Sequence, residues 1–274
     1  MLETGLTILY AMFLWWFSTG VILYLDRLAP HTYRWSLLGA TVLLAASMFA
    51  LAATASGANG PSDALIAFTS AVLIWGWHEM SFLMGHVTGP RVTACPPGVR
   101  GVERFVLATQ TVIYHEVAIL ITIAAAAFLT SGQPNQTGVE TLLLLWGMRL
   151  SAKFNLFLGV PRPHGDLLPG HLAFLQTYFR EKPMSPMFPL SVTAATLLTA
   201  GLIQAAISTA ASPLSATGYL VLATLSGLAL IEHWFLVVPL PDEALWAWAK
   251  PKEIPVSTQL TCTSAPANTP PLPA

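Results

Sequence analysis

Ionisable residues stand in this chain where a membrane protein tolerates them least. Three adjacent acid–histidine pairs, His78-Glu79, His115-Glu116 and Glu232-His233, lie inside long hydrophobic runs, and another run holds Arg149 and Lys153. A charge at mid-bilayer costs roughly 2.5–3.5 kcal/mol even on the lenient insertion scale. A polar contact between membrane helices returns only about 0.6 kcal/mol on average, which argues against packing alone and leaves an interhelical salt-bridge and hydrogen-bond network as the alternative to a functional site. The residue types suit several chemistries. Histidine is the commonest metal ligand and carboxylates complete hard metal sites, so His78, His115 and His233 are candidate ligands for a metal ion. Any one of them also suffices as the axial ligand of a magnesium tetrapyrrole. Acid–base chemistry or a metal-activated water would draw on the same groups. Two familiar signatures are absent: no pair has the Glu-x-x-His interval of di-iron bundles, and His78-Glu79 runs on into Met80-Ser81-Phe82 rather than a second metalloprotease histidine.

The elements that must position these residues follow from composition. The 274 residues are 54% hydrophobic and 9% charged, against about 25% charged in a soluble domain. Seven segments reach the ~20 apolar residues needed to cross a bilayer: Thr4–Leu25, Trp35–Thr54, Ala64–Thr88, Phe105–Thr130, Val139–Val160, Phe188–Thr209 and Ala216–Leu240. The expected fold is an all-α bundle of about seven transmembrane helices over residues 1–250. A Pro/Ser/Thr-rich stretch, 251–274, follows and reads as a disordered tail. The first span has no basic leader and carries Trp15, Trp16, Tyr24 and Asp26 where a cleavage site would need small residues.

Basic residues set the orientation. Arg27, Arg34, Arg91, Arg100, Arg104, Arg162, Arg180, Lys182, Lys250 and Lys252 all fall in the odd-numbered connections or the tail, and the remaining connections have none. Positive-inside logic then places the N-terminus in the periplasm and the C-terminus in the cytoplasm, in a bacterial cytoplasmic (inner or intracytoplasmic) membrane. Cys95 and Cys262 fall on the reducing side, unpaired. No phosphate loop or aromatic–basic pattern points to nucleic acid. The last span has no lysine for a retinal Schiff base.

At 1.5 Å per residue, the four polar sets lie roughly 9–17 Å below the cytoplasmic surface. Helices sharing one polar depth can bring it together inside the bundle. Arg149 and Lys153, four apart, share a helical face, as do Glu79 and His86, seven apart. Three carboxylates then face two cations, leaving one negative charge to be balanced. His31 reads as a solvated loop residue, while His164 and His171 fall on a possible surface helix over Leu167–Arg180. The nine tryptophans read as belt or packing residues.

Several longer motifs carry a resemblance. Phe13-Leu14-Trp15-Trp16-Phe17-Ser18-Thr19-Gly20 runs into Val21 through Leu28. Trp75-Gly76-Trp77-His78-Glu79-Met80-Ser81-Phe82-Leu83-Met84-Gly85 is followed by Cys95-Pro96-Pro97-Gly98 and Tyr114-His115-Glu116. Met148 through Val160 and Glu232-His233-Trp234 complete the set. Together, from about residue 10 to 248, they resemble the PuhE family of photosynthetic complex assembly proteins of purple phototrophic bacteria. The resemblance implies a membrane assembly factor for the reaction centre and light-harvesting complex that modulates bacteriochlorophyll supply. It also implies reaction-centre or light-harvesting subunits, or pigment-synthesis enzymes, as partners. Under that reading His78, Glu79, His115, Glu116, Arg149, Lys153, Glu232 and His233 form a cytoplasm-facing layer able to hold a bacteriochlorophyll-type tetrapyrrole or a metal. The rival expectation is a membrane metalloenzyme modifying a tetrapyrrole or carotenoid. A transporter is weaker, because no inverted repeat is visible.

Overall fold

A computed structural model describes residues 2–162, 168–238 and 242–249. His164, Lys250, Lys252, Cys262 and the expected disordered tail lie outside the described residues. Eight α-helices are present among them: α1 (Leu2–Asp26), α2 (Tyr33–Thr54), α3 (Pro61–Leu83), α4 (Gly101–Gln110), α5 (Ile113–Leu129), α6 (Thr137–Leu158), α7 (Met187–Ser208) and α8 (Pro213–Phe235). No strand forms among the described residues beyond one isolated bridge between Val160 and Glu181. Four helices, α1, the Pro30–Thr54 stretch, α7 and α8, are long and apolar enough to cross a bilayer, and α4 with α5 adds a fifth if the bent pair is one span.

Helices α3 and α6 are equally long, 23 and 22 residues, but their charged residues lower their mean hydropathy. Their position explains the tolerance. Helix α3 packs against α1, α2, α5, α6 and α8 and is the most thoroughly buried helix of the bundle. Two apolar cores flank it. Leu51, Ala71, Ile74, Ile119, Ile123 and Leu142 join α3 to α2, α5 and α6. Ala11, Phe68, Val72, Val221 and Leu225 join it to α1 and α8. Small residues permit close approach, the usual device between membrane helices. A Cβ on Gly138 of α6 would strike Leu51, and one on Gly218 of α8 would come within 2.6 Å of Thr137 Oγ1. Asn135 pins the same end by donating to the carbonyls of Thr54 and Asp63 at 3.0 and 3.1 Å.

Three expectations are corrected. The fourth span is not continuous: α4 and α5 meet at a 63° bend. The loop after α3 wedges there, with Gly89 so close to the Gln110 carbonyl that no Cβ fits. Arg91 N–H donates to Gln110 O at 3.2 Å and His115 N–H to Thr88 O at 2.9 Å. The third span stops at Leu83, capped by Gly85 at φ 76° and by the bond from His86 N–H to Ser81 O at 2.9 Å. His86 therefore lies past the helix and shares no face with Glu79; its ring nitrogen meets the Met84 carbonyl. Finally, the surface helix expected over Leu167–Arg180 is a 3-10 helix confined to Gly170–Tyr178, with one face exposed. Leu172 and Leu175 bury against Phe82 and close one end of the bundle. Arg104 holds this segment by donating to the carbonyls of Phe157, at 3.1 Å, and Tyr178.

Candidate functional site

The polar residues form one layer across α3, α5, α6 and α8, but packing divides it into separate groups. Helical phase is the first cause: adjacent residues diverge by about 100°, so no His-Glu pair can aim both members at one neighbour. On α6, Arg149 and Lys153 do share a face, and each meets a different carboxylate. Arg149 Nη2 donates to Glu79 Oε2 of α3 at 3.1 Å. Lys153 Nζ pairs with Glu116 of α5, whose other oxygen accepts the Trp146 indole N–H at 3.0 Å. The bend before α5 has a consequence here: Glu116 stands in the first turn of a helix rather than deep within a span, where the N-terminal dipole favours a carboxylate.

The histidines point elsewhere. His78 Nε2 lies 3.0 Å from Thr122 Oγ1 on α5. That hydroxyl already donates to Ala118 O, so the imidazole N–H is the donor and His78 Nδ1 is left as a buried acceptor without a partner. His115 packs beside it, with ring centroids 6.3 Å apart, and against Phe82 at 4.8 Å. Its Nδ1 is likewise buried and unpartnered. His233 is committed to a different knot. Its Nδ1–H donates to Ala229 O at 2.8 Å and its Nε2 meets Ser151 Oγ at 3.0 Å. Asn155 of α6 donates to Ser191 Oγ of α7 at 2.9 Å and Ser151 Oγ lies 2.9 Å from the same oxygen, so the knot ties α6, α7 and α8. Among the described residues no three His, Cys, Asp or Glu side chains gather as metal ligands.

Glu79, Arg149 and Glu232 meet at a cavity of about 350 Å³ between α1, α3, α6 and α8. Val72 and Leu225 of the core shared by α3 and α8 line part of it, and Leu168, Phe179 and Trp246 line another part. The Glu79 side chain is 10% accessible and its Oε1 is buried without a partner, whereas Arg149 is 51% accessible because it faces the cavity. Glu232, the carboxylate left over in the charge count, makes no direct ion pair among the described residues and lines the cavity together with Arg149 and Trp15. No histidine is among the described residues that line the cavity.

Sequence reasoning missed the neutral partners: Trp15, Thr122, Trp146, Ser151, Asn155 and Ser191. Trp146 had a usable signal, standing three residues before Arg149 on the same face. The others are ordinary helix residues until packing opposes them to a polar group. Missed too was a clasp beside the cavity. Trp246 Nε1–H donates to Trp16 O at 3.1 Å and Trp16 Nε1–H to Leu245 O at 2.8 Å, binding residues 242–249 back onto α1.

Comparison with known proteins supplies context. Residues 1–256 match the family described as "Protein of unknown function (DUF3623)". A protein of Rhodobacter capsulatus, described as "Uncharacterized 30.4 kDa protein in puhA 5'region", is 39% identical over 258 residues, covering 92% of this chain and 93% of that protein. No solved structure matches.

Proposed function

Because the chain belongs to the DUF3623 family, and a relative is described by its place in the puhA 5′ region, we propose a role in building the bacterial photosynthetic apparatus. The protein is a multi-pass assembly factor for the reaction-centre and light-harvesting complex and a modulator of bacteriochlorophyll supply. It crosses the cytoplasmic (intracytoplasmic) membrane seven times, with its N-terminus in the periplasm and its C-terminus in the cytoplasm. The observation that carries the reading is the charged layer at a cavity, in a chain related to a protein of the puhA region. The layer divides its labour in this reading. Glu79, Arg149 and Glu232 face what the protein holds. Glu116, Lys153, His78, His115 and His233 keep the helices in register. Among the described residues no histidine lines the cavity, so axial ligation of a magnesium pigment there is not part of the proposal.

The test is a deletion strain complemented with wild type or with Arg149→Ala. Cells are read by whole-cell absorption for assembled complexes and by extraction for pigments. Low complex yield with ordinary pigment chemistry, restored by wild type and not by Arg149→Ala, is the expected result. Accumulated pathway intermediates would replace the assembly factor with an enzyme. Normal complexes and pigments in the deletion strain would remove the photosynthetic role.

A further inference from the structure

The cavity has a chemistry that narrows its occupant. Two carboxylates, Glu79 and Glu232, share it with one guanidinium, so an anionic head would bring a third negative charge into a low-dielectric space. Glu232 makes no direct ion pair among the described residues, so its carboxylate keeps acceptor positions open to the cavity. Arg149 commits one N–H to Glu79 and keeps others facing the cavity. The vacant polar positions therefore call for one group that both donates and accepts: a donor for a carboxylate beside an acceptor for Arg149. A hydroxyl does both without adding charge.

Size and wall chemistry set the rest. Beyond the charged trio the walls are mostly aliphatic and aromatic, with Ile22, Val72, Trp75, Leu145 and Leu156 among them. A volume of about 350 Å³ is near the lower limit of ordinary small-molecule sites, roughly 300–1,000 Å³. A site of that size accommodates one chain or one small ring. We propose that the cavity between α1, α3, α6 and α8 binds a single-chain, hydroxyl-headed amphiphile, its hydroxyl between Glu79, Glu232 and Arg149 and its chain along the apolar wall. The inference stands on the cavity alone and holds whether or not the protein serves photosynthetic assembly.

The experiment uses the full chain in lipid nanodiscs and two probes of one chain length, 11-bromo-1-undecanol and 11-bromoundecanoate, at alkaline pH. Bromine quenches tryptophan on contact, and three of the nine tryptophans, Trp15, Trp75 and Trp246, line the cavity. The alcohol is expected to quench a saturable part of the emission, up to about a third, above the linear quenching from the bilayer. The carboxylate is expected to bind at least tenfold more weakly. Ala152→Phe, which puts a ring into the cavity from α6, should abolish the saturable part. Glu232→Gln should weaken it about tenfold, the loss of one charge-assisted hydrogen bond. Carboxylate binding equal to or tighter than the alcohol overturns the proposal, as does the absence of saturable quenching by the alcohol. Because the head-group comparison is made on the wild-type protein, it decides the matter even if a variant fails to fold.

Discussion

Removing Arg149 should hurt far more than removing the carboxylate it serves, because the two partners are unequally buried. Arg149→Met leaves Glu79 in a side-chain environment only 10% accessible, with one oxygen already unpartnered and the other now abandoned. Stranding one member of a buried ion pair costs about 3–5 kcal/mol, and water in the adjoining cavity sets this case at the lower figure, about 3 kcal/mol. At ~2–4 °C per kcal/mol for a chain of this size, melting should fall by about 6–12 °C. Glu79→Gln is the opposite case. It leaves Arg149 half-exposed to the cavity and still facing Glu232, with the glutamine oxygen able to accept its N–H, at a cost of about 1 kcal/mol. In the double variant Glu79→Gln/Arg149→Met no stranded charge remains at the pair, so the losses should be less than additive by about 1–2 kcal/mol. Thermal melting in detergent, followed by tryptophan emission for all four proteins, measures the cycle. If Arg149→Met melts within about 2 °C of wild type, or if Glu79→Gln proves the more damaging change, the buried-pair argument is wrong.

Two other expectations follow from the fold. Gly89→Ala drives a Cβ into backbone atoms of Gln110, Thr111 and Val112 and should cost about 2 kcal/mol or more by spoiling the α4–α5 bend. Gly147→Ala, on α6 with open space around it, should instead stabilise by about 0.5–1 kcal/mol; the same melting assay compares them, and equal effects would refute the wedge. For orientation, Pro97→Cys and Gln133→Cys in a background without Cys95 and Cys262 report opposite ends of the bundle. An impermeant maleimide should label Gln133→Cys in intact spheroplasts and Pro97→Cys only after the membrane is opened. The reverse pattern would invert the proposed topology.

The sequence by itself determined the all-helical membrane class, the approximate helix positions and the meeting of polar residues from α3, α5, α6 and α8 at one level of the bundle. These depend on composition and on rise per residue, which are local quantities. The Arg149/Lys153 stripe was equally legible, since it needs only helical phase. Which carboxylate each cation meets was not, because that depends on how α3 and α5 are rotated against α6. The α4–α5 bend escaped for a related reason. Gln110-Thr111-Val112 contains no glycine or proline, and the break is imposed by the distant loop at Gly89. The histidines show the limit most plainly: His78, His115 and His233 share a depth, yet His233 bonds Ser151 on the α7 side while His78 bonds Thr122 on α5. The cavity is wholly tertiary. It is lined jointly by residues of α1, α3, α6 and α8, and no single helix carries it in its own residues.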